Sequence, residues 1–166
     1  MQHSPARLTE LTYTPAGVTR GRVMSGFRLL EREARIGSGD EHWAYAAAEI
    51  MRWGIKTRAG FRVDGPIEPG TDATIIAFGL VREPVRIVYV IDAPDVRGYA
   101  YGTLPGHPLR GEELFVVERR GDENWLRIRS FSRPAGAWWL LYPALRVIQA
   151  LVVRRYLVAL KRPEQR

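Results

Sequence analysis

Between Ile55 and Phe131 apolar residues recur at every second position, and turn residues interrupt the pattern at short intervals. A period of two is typical of β-strands, because successive side chains of a strand point to opposite faces. No helical pattern separates these segments, so each strand is expected to pair antiparallel with the next one through a short turn. The predicted strands of this meander are residues 55–63, 71–81, 85–92, 97–103, 113–119 and 125–131.

A strand and a helix are predicted before the meander. Residues 27–36 alternate well enough for a first strand, and residues 1–24 are predicted to be an extended lead-in. Ser38 stands three residues before Glu41, which is the spacing of a capping box at a helix N-terminus. Apolar residues then recur at helical spacing, so residues 40–53 are predicted to form an amphipathic helix.

The most apolar segment lies near the C-terminus, where residues 137–161 are predicted to form a long helix. Pro143 fits the first turn of its main part, because proline lacks the N–H that an interior helical position donates. Apolar side chains occupy so much of the circumference that the helix is expected to be largely covered by the rest of the protein.

A membrane span is the alternative for this segment, since residues 135–153 approach the ~20 residues that cross a bilayer. Arg146 lies near the centre of that stretch, where an arginine costs about 2.5–3.5 kcal/mol on insertion scales. A helix packed against a curved sheet is therefore favoured. Peripheral membrane contact through Trp138, Trp139 and the flanking arginines is left open.

The order of elements is strand, helix, antiparallel strands and long C-terminal helix, which predicts a single α+β domain over residues 1–166. About six to seven strands would form a curved antiparallel sheet that wraps around the C-terminal helix and leaves a cavity between them. By analogy of element order, this is the helix-grip arrangement of START-like proteins.

The net charge of +7 is concentrated near the C-terminus, since residues 119–166 hold 11 basic and 3 acidic side chains. A basic face attracts nucleic acid, anionic lipid or an acidic ligand. Only Lys56 and Lys161 among the basic residues are not arginine, so a purely compositional origin stays open. The chain has no cysteine, which excludes disulfides and thiolate chemistry. No signal peptide is recognised at the start, so a cytoplasmic location is expected.

Residues 99–118, YAYGTLPGHPLRGEELFVVE, hold the densest group of chemically active side chains. Together with GFRLLEREARIGSGDEHWAYAAAEIMRWGIKTRAGFRV, this stretch resembles uncharacterised protein family 0548, a domain-of-unknown-function family of bacteria and plants. The likeness extends over residues 11–161, and residues 101–108 followed by 111–113 are its most specific part. The resemblance implies a single cytosolic domain, for which a START-like fold is plausible, and it carries over no activity, substrate or catalytic residue.

His107 is the candidate catalytic residue, because its backbone is held in a turn and a histidine can act as acid, base or ligand near neutral pH. Glu112 and Glu113 are adjacent on a strand and must point to opposite faces, so only one can accompany His107. We expect Glu113 to do so. The alternative is a rigid turn in which His107 caps a backbone carbonyl.

Arg127 and Arg129 share a strand face with Trp125 and Phe131. Such a face suits phosphate contact and base stacking, an anionic ligand in a pocket, or plain solvent exposure. The three histidines are far apart in sequence and match no metal-binding spacing, so neither a metal nor a cofactor is predicted. There is also no G-x-S-x-G motif of a serine hydrolase and no phosphate-binding glycine loop.

The leading hypothesis is that the protein binds a small apolar or amphipathic molecule between the sheet and the C-terminal helix. One alternative is an enzyme that uses the same cavity, with His107 as acid or base. Another is a protein whose basic C-terminal third binds nucleic acid or an anionic membrane. The sequence does not decide the oligomeric state. The candidate ligand-binding residues are Tyr101, Thr103, His107, Glu113, Arg127 and Arg129.

Overall fold

The computed structural model describes residues 10–162, so residues 1–9 of the predicted lead-in lie outside the described part. Seven antiparallel strands form one sheet in the order β1-β7-β6-β5-β4-β3-β2. The first and last strands are therefore neighbours, and β2 ends the opposite edge. In chain order the elements are β1 (Arg28–Ser38), α1 (Gly39–Ile50), α2 (Gly54–Arg58), β2 (Arg62–Asp64), β3 (Asp72–Ala77), β4 (Val81–Ala93), β5 (Val96–Thr103), β6 (Leu109–Arg120), β7 (Glu123–Pro134) and α3 (Tyr142–Ala159).

The predicted α+β class, with a sheet wrapped around a long C-terminal helix, is confirmed. All three helices pack on one face of the sheet, which we call the inner face, and share a single hydrophobic core with it. On α3, the ring of Tyr156 meets the ring of Phe115 edge-on, with 5.2 Å between the centroids. The most deeply buried core residues include Ile50, Ile55, Ile75, Ile87, Phe115, Leu126, Ile128 and Leu160.

The predicted strand at residues 55–63 is wrong, because α2 and the short strand β2 occupy that segment. Trp53 adopts a left-handed conformation with φ of 63°, which turns the chain after α1 and starts a second helix. Ile55 resembles a strand residue in sequence, but its complete burial in the core decides its conformation. Ser38 does occupy the N-cap position of α1, although its side chain makes no capping hydrogen bond.

The predicted strand at residues 71–81 is also too long, because β3 ends at Ala77 and β4 begins at Val81. The chain turns at residues 78–80, with positive φ at Phe78 and Gly79, rather than at residues 82–84. Two consecutive positive φ angles give the turn a twist that matches antiparallel strands, and glycine adopts this conformation without steric cost. Glu83 therefore lies within β4 instead of in a loop.

The sheet curves where the pairing of its strands shifts register. One shift lies between Ile87 and Tyr89 of β4, and another lies between Arg35 and Gly37 of β1. An extra residue in one strand bends that strand and increases its twist. Ile87 consequently belongs to the core under the helices, whereas Tyr89 packs on the outer face of the sheet.

Pro143 lies in the first turn of α3, as predicted, and a 3₁₀ segment, Gly136–Leu141, leads into the helix. The prediction that this helix is largely covered is wrong. Within α3 only Val153 and Tyr156 are buried, and apolar side chains are exposed along the side that points away from the sheet. By length and composition the segment Gly136–Ala159 could cross a membrane.

Candidate ligand-binding site

A cavity of about 210 Å³ lies between the inner face of the sheet and α3. Its mouth is marked by Phe78 and Ile148, which are 58% and 40% exposed, respectively. An engineered cavity of ~150 Å³ takes up benzene, so this one has room for a molecule slightly larger than a single aromatic ring. The apolar residues that line it include Leu30, Phe61, Ala77, Phe78, Val81, Pro108, Leu109, Trp138, Leu145, Ile148, Val152 and Val153.

Lys56 supplies a buried ammonium group to this cavity. Its Nζ donates to the hydroxyl oxygens of Tyr101, at 2.6 Å, and Tyr156, at 2.7 Å. The same atom lies 3.3 Å from Oε2 of Glu113, which also accepts a hydrogen bond from the Tyr101 hydroxyl. The side chain of Lys56 is only 2% exposed. These four residues, which we call the Lys56 cluster, come from α2, β5, β6 and α3, so tertiary structure alone brings them together.

The charge of the cluster is nearly balanced. Burial raises the pKa values of Tyr101 and Tyr156 well above 10, and the negative charge of Glu113 adds to the effect, so both hydroxyls keep their protons. Glu83 also lines the cavity, and its burial raises its pKa to about 7, although the charge of Lys56 opposes that shift. The cavity thus brings the amine of Lys56 and the carboxyl groups of Glu113 and Glu83 together, and the guanidinium of Arg28, which donates to Gln149 at 3.4 Å, also lines it.

His107 lines the cavity as a neutral imidazole. Its burial, together with the charge of Lys56, lowers its pKa to about 3. Its Nδ1 accepts the backbone N–H of Leu109 at 2.9 Å, which places the proton of the neutral ring on Nε2. The ring therefore stabilises the turn as an acceptor, not by capping a carbonyl. At neutral pH it can offer a hydrogen bond through Nε2–H, but it does not carry a proton to transfer as an imidazolium.

Four of the six candidate residues line the cavity, namely Tyr101, Thr103, His107 and Glu113. The hydroxyl of Thr103 already shares a hydrogen bond with that of Thr12, at 2.5 Å, and accepts the backbone N–H of Gly111, at 3.0 Å. The Thr103 hydroxyl therefore already links β5 to the N-terminal segment and to β6.

The structure separates Arg127 and Arg129 from the other four candidates. They lie on the outer face of β7, because the intervening residue Ile128 points into the core. Arg127 pairs with Glu118 at 2.8 Å, and Arg129 pairs with Glu31 at 3.1 Å. Neither arginine lines the cavity.

Sequence reasoning missed several polar residues of the cavity, among them Arg28, Lys56, Glu83 and Tyr156. Lys56 was hidden inside a wrongly predicted strand, and Glu83 inside a wrongly predicted turn. One signal was present: Lys56 is one of only two lysines among 25 basic residues, and it lies in an apolar segment. Because nearly all other basic residues of the chain are arginine, a lysine indicates a site that needs a compact amine.

No metal centre is evident in the part of the chain that the structure describes. Residues 10–162 contain no group of three or more His, Asp or Glu side chains that could hold an ion.

A curved antiparallel sheet closed over a C-terminal helix, with a lined cavity between them, defines a helix-grip protein. The hypothetical protein jhp0584 from Helicobacter pylori has a similar structure, with a TM-score of 0.61, 11% identity, and coverage of 95% of this chain and 100% of that chain. Truncated norcoclaurine synthase from Thalictrum flavum gives a TM-score of 0.52 at 10% identity, covering 82% and 94% of the two chains. Identities this low establish the fold alone.

The chain belongs to the family described as Domain of unknown function (DUF1990), whose sequence model matches residues 12–159. A UPF0548 protein of Arabidopsis thaliana is 34% identical over an alignment of 122 residues, and the match covers 66% of this chain and 60% of that protein. A UPF0548 protein of Deinococcus radiodurans is 51% identical over 51 residues, or 30% of this chain and 26% of that protein. The chain thus covers less than two thirds of the length of either relative. The predicted membership of family 0548 is confirmed.

Proposed function

We propose that the protein binds a small, mostly apolar molecule, with one uncharged polar group, in the cavity between the sheet and α3. The observation that carries this proposal is the Lys56 cluster inside an otherwise apolar cavity. Burying an ammonium group costs several kcal/mol, and replacing a buried ion pair by apolar residues often stabilises a protein. A polar cluster of this kind, facing open space, is typical of a ligand site.

The free hydrogen-bonding capacity of the cluster supports a ligand with an acceptor atom. The three protons of the Lys56 ammonium have three partners, the oxygens of Tyr101, Tyr156 and Glu113. Among the described residues nothing accepts the hydroxyl proton of Tyr156 or the Nε2 proton of His107. Both can donate to a carbonyl or ether oxygen of the ligand.

Charge and size narrow the ligand further. Within the Lys56 cluster the ammonium is offset by Glu113, so an uncharged polar group suits this end of the cavity. Arg28, the other basic residue that lines the cavity, already donates to Gln149 at 3.4 Å. The cavity volume fits one ring with a short substituent. A protein of the same fold, norcoclaurine synthase from Thalictrum flavum, has been crystallised with dopamine and hydroxybenzaldehyde. Hydroxybenzaldehyde is a single ring that carries a carbonyl oxygen and one hydroxyl group, so it serves as the first probe, with benzaldehyde as the match that has the carbonyl oxygen alone.

The test compares native mass spectra of the protein from its expression host with spectra of a denatured, extracted sample. We expect a reproducible co-purifying molecule, or uptake of hydroxybenzaldehyde, in the wild type. Lys56→Met should reduce the bound fraction at least tenfold, whereas Lys161→Met, at the exposed lysine, should leave it unchanged. Tyr156→Phe keeps the ring and removes only the hydroxyl, so it serves if Lys56→Met folds poorly. Equal occupancy in the wild type and both cavity variants, or no uptake of any ring compound, would overturn the proposal.

An enzyme in the same cavity is the second candidate, and one observation favours it. The pKa of Glu83 lies at about 7, the range in which a carboxyl group can both donate and accept a proton at neutral pH. The predicted acid–base role thus passes from His107 to Glu83. On any substrate found by screening, the rate should show an inflection near pH 7 that disappears in Glu83→Gln. An unchanged pH profile in that variant would exclude the role.

The nucleic-acid alternative has less support, because Arg127 and Arg129 each face a carboxylate within 3.1 Å. The nucleic-acid alternative would be supported if the protein bound a labelled oligonucleotide and this binding weakened steeply as salt was added. A cytoplasmic location also stays a prediction from the sequence, and fractionation of cells that express the tagged chain tests it.

A further inference from the structure

The side of α3 and its leading 3₁₀ segment that points away from the sheet is apolar. Val147, Leu151 and Val158 recur along α3 and are 62%, 55% and 55% exposed, and Leu140 in the 3₁₀ segment is 86% exposed. We call these four residues the outer stripe. A surface helix of a globular protein normally presents charged or polar residues on this side. A contiguous exposed apolar surface marks a place of interaction.

The charged residues of the segment that carries the outer stripe are all basic, and one of them, Arg162, lies 3.9 Å from Glu41 of α1. Residues 135–162 contain no Asp or Glu, but they hold Arg146, Arg154, Arg155, Lys161 and Arg162. Within residues 10–162, neither Arg146 nor Arg154 has an acidic partner. Arg154 falls on the same side of α3 as the outer stripe, three residues after Leu151 and four before Val158.

Aromatic side chains stand at the N-terminal end of the same surface. Trp139 is 52% exposed, and its ring lies 5.3 Å from that of Tyr142. Tryptophan and tyrosine are enriched where a protein meets the head groups of a bilayer, because their rings are apolar and their N–H or O–H is polar. An apolar stripe with basic flanks and aromatic side chains at one end is the pattern of a helix that lies in a membrane interface.

We propose that the outer stripe of α3 binds the surface of an anionic lipid bilayer. A second copy of the chain fits this surface less well, because pairing two stripes brings two sets of cations together without a carboxylate between them. Negative lipid head groups supply the charge that the stripe lacks. This inference is independent of the identity of the cavity ligand.

The helix lies on the bilayer instead of crossing it. Its inner side is part of the core: the hydroxyl of Tyr156 accepts from Lys56 at 2.7 Å, and its ring packs edge-on against Phe115. A membrane span would have to withdraw Tyr156 and Gln149 from the protein and leave the ammonium of Lys56 without one of its partners. The apolar outer side reaches the lipid with the fold intact.

The first experiment is co-sedimentation of the full chain with vesicles of pure phosphatidylcholine and with vesicles that also contain phosphatidylglycerol. We expect binding to the anionic vesicles that decreases as salt is added, and little binding to the neutral ones. The proposal fails if the protein stays in the supernatant with anionic vesicles at low salt. Equal binding to both vesicle types would overturn the role of the arginines.

Matched variants identify the surface. Leu140→Ser should reduce binding to anionic vesicles roughly tenfold, because the leucine no longer enters the apolar layer. Leu80→Ser, at a leucine that is also 86% exposed but lies in the β3–β4 turn, should leave it unchanged. Arg154→Gln should reduce it roughly fivefold, and Arg82→Gln on β4 should not.

Two results would show that the outer stripe does not bind a membrane. Equal losses for Leu140→Ser and Leu80→Ser would show that the outer stripe is not the membrane surface. A dimer in analytical ultracentrifugation that Leu151→Ser dissociates, without vesicle binding by the wild type, would establish a second copy of the chain as the partner.

Discussion

Glu112 and Glu113 are adjacent glutamates on β6, and the structure uses them in opposite ways. Glu112 points to the outer face of the sheet, and Glu113 points to the inner face with Phe115 and Val117, the alternation expected of a strand. The N-terminal segment covers the outer face, and the helices and the cavity lie on the inner face, so the two carboxylates have different roles.

Glu112 is a structural anchor for the N-terminal segment. It accepts hydrogen bonds from the Tyr13 hydroxyl at 2.5 Å, the Gly17 N–H at 2.7 Å, and the N–H and hydroxyl of Thr19 at 3.0 and 2.5 Å. Four donors to a residue that is 2% exposed leave it no spare capacity. The segment that it holds also buries Tyr13 and Val18 against Phe131.

Glu113 remains partly available. Its side chain is 22% exposed, and its described partners, Lys56 and Tyr101, belong to a cluster beside open space. A buried carboxylate with all its acceptor sites filled, such as Glu112, stabilises the fold. A carboxylate in a shared, half-open network is placed for a ligand or a proton.

The largest expected effect is that of Glu112→Gln. Four donors would lose a charged acceptor, and two would face the NH₂ group of the glutamine, so we expect a loss of about 4 kcal/mol in the free energy of unfolding. Glu113→Gln should cost much less, because Lys56 keeps Tyr101, Tyr156 and the nearby carboxyl of Glu83. Urea denaturation of both variants at pH 7 measures the difference. Similar losses would contradict the distinction between the two glutamates.

The next largest effect is the pH dependence that Glu83 gives to the free energy of unfolding. In the folded protein Glu83 holds its proton up to about pH 7, whereas the free carboxyl loses it near 4.5. The folded state binds more protons between these values, so this residue destabilises the protein as the pH rises from 4.5 through 7. Glu83→Gln should exceed the wild type in stability by up to about 3 kcal/mol at pH 8.5, with little difference at pH 4.5.

A second variant, Glu113→Gln, tests the cause of the raised Glu83 pKa. The negative charge of Glu113 contributes to the raised pKa of Glu83, so Glu113→Gln should shift the Glu83 titration to lower pH. NMR titration of the Glu83 carboxyl carbon in the wild type and in Glu113→Gln measures the shift directly. A Glu83 pKa near 4.5 in the wild type would contradict the buried setting.

The smallest expected effect comes from the two tyrosines that donate to the two glutamates. Tyr13→Phe removes one donor from Glu112 and should cost about 2 kcal/mol of stability, with ligand uptake unchanged. Tyr101→Phe should cost less than about 1 kcal/mol, because Glu113 and Lys56 still contact each other. It should instead weaken ligand uptake. Thermal denaturation and native mass spectrometry of the two variants measure stability and ligand uptake separately. A larger loss of stability in Tyr101→Phe, with weaker uptake in Tyr13→Phe, would contradict the distinction between Glu112 and Glu113.

Much of the architecture could be predicted because it depends on local periodicity. The period of two between residues 71 and 131 specified an antiparallel meander, and Pro143 located the start of the last helix. The turn that holds His107 and the opposite orientations of Glu112 and Glu113 also follow from neighbours in sequence. For that reason four candidate residues, all from β5, β6 or the turn between them, line the cavity.

The remainder depends on contacts between distant segments. Lys56 and Tyr156 are 100 residues apart in sequence, and only the packing of α2 against α3 brings them within hydrogen-bonding distance. The same packing made residues 54–58 helical despite their strand-like composition, because burial of Ile55 outweighs a weak local preference.

By itself, then, the sequence determined the family, the fold class and the opposite orientations of adjacent strand residues such as Glu112 and Glu113, because these follow from the identity and spacing of neighbouring residues. Only the tertiary structure decided that Arg127 and Arg129 lie outside the cavity, that Lys56 lies within it, and that one side of α3 stays uncovered. The apolar circumference of α3 predicted a largely covered helix, but a single sheet can cover only one side of a helix.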